Sequence, residues 1–314
     1  MSWKAAALIW LACLPASAQT RIPIILDTDI GDSIDDALAL AFALRSPELD
    51  VRAVTTVIDD VESKTRLAWK MLGLHNRRDI ALAMGAPEPL LDPSTASPSN
   101  EFQALTRNDV IPDAARRRAA DLIIETLLQS RSKITVVAIG PLTNIALALK
   151  TDPRIKNAIE RIVVMGGAYF SQESEYNVRR DRAAAEIVFQ SGIPVTAVGL
   201  DVTAPCKLRE KDLDRMRAVI DPAGNFLTRL LDLAEEQTHD ANPTLHDPLA
   251  IAAVFRPDLL EFQAGRVTVP LDGPGQTIFT PQAASRTQVA SRVKAQAFLD
   301  LFADRVTRGI APLR

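Results

Sequence analysis

The chain has 314 residues, 47% of them hydrophobic and 24% charged, with a formal net charge of −3. That balance excludes a disordered chain and gives no footing for binding nucleic acid or a membrane surface, both of which draw on clustered basic charge. Only two cysteines, Cys13 and Cys206, are present, which excludes a disulfide-knit scaffold.

Residues 1–18, MSWKAAALIWLACLPASA, carry one early cation (Lys4), a short apolar core and the small-residue ending Ala16-Ser17-Ala18. This is the pattern of a secretory signal cleaved before Gln19, with an apolar core too short for a permanent span. The mature chain is therefore expected to be exported, periplasmic or secreted, free of the membrane, and to form a single domain over 19–314 with Cys206 as a buried small hydrophobe.

From there, β-branched apolar runs alternate with helical patterns, the signature of parallel βαβ units. Strands are predicted at 22–26, 51–57, 80–84, 134–139, 161–165 and 194–200, and helices at 35–44, 62–72, 114–129, 142–149 and 182–190. A Pro-, Ser- and Asn-rich loop spans 86–113, a length that usually signals function. Further on come one or two helices around Asp221-Pro222, a helix at 247–255, added strands at 267–271 and 287–290, and a closing amphipathic helix at 294–308. The expected fold is α/β: an open, mostly parallel Rossmann-like sheet with helices on both faces and added C-terminal strands and helices. His75 and His239 read as surface residues.

The most informative stretch is IILDTDIGDSIDDALALAFAL, where Asp27, Asp29, Asp32, Asp35 and Asp36 fall within ten residues at the end of the first strand. Carboxylates crowded in low dielectric either raise one another's pKa or recruit a cation. Ca²⁺ suits such a set because it accepts many oxygens in flexible geometry. Asp35 and Asp36, adjacent at a helix start, point about 100° apart, so one can grip an ion while the other meets a substrate. Ligands of open α/β sheets sit beyond the strands' carboxyl ends. Three further polar segments follow strands or open helices there: 139–144, 166–177 and His246-Asp247-Pro248.

Together, Asp27-x-Asp29, Asp35-Asp36, Gly140-Pro141-Leu142-Thr143-Asn144, Met165-Gly166-Gly167, Glu175-Tyr176-Asn177 and His246-Asp247-Pro248 resemble the inosine-uridine preferring nucleoside hydrolases over residues 22–308. The resemblance implies a calcium-dependent enzyme that hydrolyses the N-glycosidic bond of ribonucleosides through a calcium-bound water activated by an aspartate. It implies Asp29, Asp36, Asp247 and the Ile139 carbonyl as metal ligands, with Asp29 also the general base. It assigns Asp35, Glu175 and Asn177 to the ribose and His246 to protonation of the leaving base. Asp60 is a further candidate for a ribose hydroxyl, and Asp27, Asp32 and Asn144 for support behind the ligands. A small-molecule ribonucleoside substrate and a homo-oligomer, dimer or tetramer, are implied as well.

The chain departs from the family pattern in four places. Extra residues around Asp32-Ser33 lengthen the aspartate motif, and Asp59-Asp60 stand where the family usually has Gly-Asn. The loop 168–174 lacks an expected asparagine, and the loop 86–113 lacks the His-Gly motif near the base. Phe102 and Tyr169 are aromatic candidates for stacking on a base, with packing as the plainer use. Two other readings use some of the same residues. One is a haloacid-dehalogenase-like phosphatase with Asp27 as nucleophile; the other is an exported nucleoside- or ribose-binding protein without turnover.

Overall fold

A computed structural model describes residues 21–91 and 99–308, so the expected signal segment lies outside the described residues. Nine strands form one sheet in the order β3-β2-β1-β4-β5-β6-β9-β7-β8. The strands are β1 Ile22–Thr28, β2 Leu49–Thr56, β3 Ala81–Ala83, β4 Ile134–Ala138, β5 Ile159–Met165, β6 Val195–Val198, β7 Leu260–Thr268, β8 Ile278–Pro281 and β9 Thr287–Val293. The first six and β9 pair in parallel, and β7 is antiparallel to both β9 and β8. The expected α/β architecture, with its added C-terminal strands, is the observed one.

The parallel core places helices on both faces, and the strand sequences show why. Along β1, Ile24 and Leu26 enter one apolar cluster and Ile25 the opposite one, as a period of two requires. The first cluster is completed by α1 (Ile34–Leu44), α2 (Val61–Leu74), α9 (Pro222–Thr238), α10 (His246–Phe255) and α11 (Ala295–Val306). The second is completed by α3 (Ala119–Gln129), α4 (Thr143–Thr151) and α6 (Arg182–Phe189). The remaining short helices are α5 (Tyr176–Arg180), α7 (Leu200–Thr203) and α8 (Glu210–Arg217).

Several expectations are corrected. Helix α3 starts at Ala119 because residues 113–116 form a separate 3₁₀ turn. The strand expected at 267–271 is β7, which ends at Thr268, and β8 was not foreseen. His75 is buried rather than on the surface. It ends α2, its Nδ1–H donates to the Met71 carbonyl at 2.8 Å, and its Nε2 accepts from Arg45 Nε at 3.3 Å. Burial pulls its pKa down to about 4. Cys206 is buried as expected, and burial pushes its thiol up to about 12.

The strand order reverses at β1, between β2 and β4, so a crevice opens at the carboxyl ends of β1 and β4. Asp29 follows β1 there, and Ile139 follows β4. No helix among the described residues is long and apolar enough to cross a membrane.

Candidate active site

The crevice holds a cavity of about 450 Å³, lined among others by Asp29, Asp32, Asp35, Asp36, Ile139, Glu175, Asn177, His246 and Asp247. Its size suits one small ligand. Five elements deliver these groups: the turn after β1, the start of α1, the end of β4, the loop into α5 and the start of α10.

The turn after β1 fits only because of two glycines. Gly31 has φ +101°, in the region that favours glycine, and the Phe102 ring closes over it so tightly that a Cβ would lie 2.4 Å from the ring. A Cβ on Gly140 would lie 2.7 Å from Asp29 Oδ1, so Gly140 lets that carboxylate reach the cavity floor. Phe102 thus packs beneath the loop. Tyr169 is buried, its hydroxyl donating to the Gly166 carbonyl at 2.7 Å, and neither aromatic lines the cavity.

Asp35, Asp36 and Asp247 each offer a carboxylate oxygen, and these atoms all lie within 4.8 Å of one another. Asp29, Asp36 and Asp247 are buried, and their pKa values stand well above the usual range. Burial is the main cause for all three; the next is the charge of Asp32 for Asp29, of Asp29 for Asp36, and of Asp35 for Asp247. A cation resolves that repulsion, and an all-oxygen donor set suits a hard divalent ion. Both Asp35 oxygens are already engaged: Oδ1 by the Ser33 hydroxyl at 2.5 Å and Oδ2 by the Asp247 amide at 3.2 Å. Asp36 Oδ1 accepts from Thr28 Oγ1 at 2.5 Å.

Asp32, the inserted acid, is withheld from the carboxylate group. Its Oδ2 pairs with Lys64 Nζ at 2.8 Å, and Lys64, fully buried, also donates to the Val57 carbonyl. Asp27 lies below the cavity, fully buried, with Oδ1 accepting from Thr55 Oγ1 and Asn144 Nδ2. Burial pushes its pKa up to about 7 in spite of those bonds. Asn144 also donates to the Thr56 carbonyl and accepts from the Ala86 amide, tying β1, β2 and the next loop together beneath the site.

Glu175 faces the cavity while capping α5; it accepts from the backbone amides of Asn177, Val178 and Gly167. Asn177 donates through Nδ2 to the carbonyls of Ile139 and Met165, which leaves its Oδ1 for a ligand. His246 opens α10, and its Nδ1 shares a 2.7 Å hydrogen bond with Thr203 Oγ1.

Asp60 is the exception among the expected residues. It is exposed, lies outside the cavity lining and caps α2 by accepting from the Ser63 amide at 3.0 Å. A side chain committed to a helix cap on the surface does not reach a sugar in the crevice. Its neighbour Asp59 pairs with Arg180 at 2.6 Å. Sequence reasoning passed over Thr28, Lys64, Thr203 and Glu101. Only Lys64 left a trace, one cation on the apolar stripe of α2.

The chain matches the family model described as inosine-uridine preferring nucleoside hydrolase over residues 24–300. It is 36% identical over 307 residues to the pyrimidine-specific ribonucleoside hydrolase RihA of Escherichia coli, covering 91% of this chain and 98% of that one. Among solved structures, a plant nucleoside hydrolase, PpNRh1, superposes with a TM-score of 0.82 at 28% identity, covering 92% of this chain and 99% of that one. The purine-preferring ribonucleoside hydrolase from Gardnerella vaginalis does so with a TM-score of 0.77 at 31% identity, covering 91% and 98%.

Proposed function

The chain belongs to the inosine-uridine preferring nucleoside hydrolase family and is a nucleoside hydrolase, and from that premise we propose that it cleaves ribonucleosides to ribose and free base with the help of one Ca²⁺. The observation that carries the proposal is the meeting of Asp35, Asp36 and Asp247 oxygens within 4.8 Å, in the cavity that Asp29 also lines. Asp36, Asp247 and Asp29 would hold the ion, with the Ile139 carbonyl beside them. Bound there, Ca²⁺ would supply the charge that acidifies a water and orients the ribose diol.

The protein's own groups account for the remaining steps. Asp29 takes a proton from the attacking water; apart from its own backbone amide, no donor among the described residues holds its carboxylate. Asp35 and Asn177 Oδ1 accept from ribose hydroxyls, and Glu175 holds the loop that carries Asn177. The buried carboxylates stabilise positive charge on the ribosyl ring as the glycosidic bond stretches. Attack opposite the base inverts the anomeric carbon. The base leaves with the bonding pair and takes a proton from His246, whose ring Thr203 orients.

The phosphatase reading gains nothing from the site, since its nucleophile would be Asp27, sealed beneath the cavity. The relative at 36% identity is named for pyrimidine ribonucleosides, so uridine and cytidine are the first substrates to assay. Export to the periplasm or medium, one catalytic domain over 19–314 and a homo-oligomeric state belong to the same proposal. The test is ribose release from a panel of ribonucleosides by the purified mature chain. Release that stops on chelation supports the reading; binding without release, or phosphate release from phosphomonoesters instead, would refute it.

A further inference from the structure

A second cavity, of about 220 Å³, adjoins the first and shares with it Asp32, Ser33, Gln237 and His246. Its wall includes Glu101, from the 3₁₀ helix Asn100–Ala104 in the long loop after β3. Glu101 is only 3% exposed, and its Oε2 has no hydrogen-bond partner among the described residues. Leaving a buried carboxyl oxygen unpaired is costly, and a ligand group that donates to it would remove that cost.

The backbone of the 3₁₀ segment that carries Glu101 is anchored on both sides. The Asn100 amide donates to Gln237 Oε1 on α9 at 2.6 Å, the Glu101 amide donates to Ser99 Oγ, and Lys70 Nζ donates to the Ala104 carbonyl at 2.9 Å. Glu101 also lies close enough to Asp35 and Asp32 for their charges to act on it. Resting on the hydrolase reading above, the geometry follows from where the scissile bond must lie. The ribose is held at the carboxylates of the first cavity, and the group that leaves must meet His246, which stands at the junction. The far edge of the base then extends into the second cavity.

We propose that Glu101 is a specificity-determining residue that reads the nucleobase by accepting an N–H from the edge remote from the glycosidic bond. Both protonation states keep an acceptor oxygen, and an N–H donor satisfies it: the ring imide of uracil or the exocyclic amine of cytosine. The site therefore takes bases with such a donor and gains nothing from a leaving group without one.

The test compares kcat/KM for uridine, cytidine and p-nitrophenyl β-D-ribofuranoside, whose leaving group carries no N–H, in the wild-type enzyme, Glu101→Ala and Glu101→Gln. Glu101→Ala is expected to lose about tenfold or more on both nucleosides while staying within about twofold on the aryl riboside. Glu101→Gln, which keeps one acceptor oxygen, is expected to fall between. Equal losses on all three substrates would assign Glu101 to the fold or the ribose site and overturn the proposal, as would no loss on any. If the wild type cleaves no riboside, the hydrolase reading fails, and calorimetric titration with uracil still decides: weaker binding to Glu101→Ala supports the assignment, and equal binding overturns it.

Discussion

The backbone amide of Asp247 donates to Asp35 Oδ2 at 3.2 Å, joining residues 212 positions apart. The bond sets the start of α10 against the start of α1, so two helix N-termini, each with partial positive charge, face the same carboxylates. Those partial charges fall short of neutralising Asp29, Asp35, Asp36 and Asp247 together, which is why a cation belongs among them. The bond also leaves Asp35 less free than Asp29 to hold that cation.

The two residues should therefore separate on substitution. Asp29→Ala is expected to lose bound Ca²⁺ and about three orders of magnitude or more in kcat, since on the proposal above it removes a ligand and the base together. Asp35→Ala is expected to keep the ion and lose ribose binding, seen as a raised KM with lowered kcat. Metal content by atomic spectroscopy, read beside kinetics, checks both; retained calcium in Asp29→Ala would reverse the assignment.

Thr28 stands directly behind Asp36, one of the proposed calcium ligands. Its hydroxyl fixes Asp36 Oδ1 at 2.5 Å. Thr28→Val keeps the shape and removes that bond, and should weaken calcium affinity by about 10- to 100-fold while the fold survives. A calcium titration followed by calorimetry measures it, and unchanged affinity would show that Asp36 needs no such support.

His246→Ala should lower kcat on ribonucleosides by about 10²-fold or more. A p-nitrophenyl leaving group, which departs without a proton, should largely escape the loss. If both substrates suffer equally, His246 does not deliver the proton.

His75 gives a stability prediction with a definite sign. Burial, with the Arg45 guanidinium donating to Nε2, holds the ring neutral in the folded protein, with a pKa of about 4 against 6.5 for the free side chain. A folded pKa below the unfolded one means stability is fully present above pH 6.5 and is lost as the pH falls towards 4. The loss should reach about 3 kcal/mol. Urea midpoints at pH 7 and pH 4.5 for wild type and His75→Leu would show it: the variant should start less stable and respond less steeply to acid.

Much of this was legible in the sequence, and the gaps have physical causes. Alternating apolar runs disclosed the parallel sheet, yet β1 was expected to stop at Leu26 and runs on to Thr28. Asp27 and Thr28 stay in the ladder because Thr55, Asn144 and Asp36 satisfy their side chains, which only the folded chain reveals. Asp60 stands directly before an apolar-periodic segment, the pattern of a helix cap, and that signal outweighs its place beside the motif. His75, a polar ring at a helix end, reads as exposed from sequence; in the fold Arg45, itself held by the Val306 carbonyl, donates to it. Glu101 left no signal, since one acid in a Pro- and Ser-rich loop looks like any solvated residue.

The central claim is that these carboxylates serve turnover by gathering around one calcium ion. Ribose release from uridine by metal-depleted protein, followed as Ca²⁺ is titrated back, tests it most directly. Activity should be absent without the ion and should return in full at one equivalent per chain. Undiminished ribose release by the metal-free protein would contradict the account.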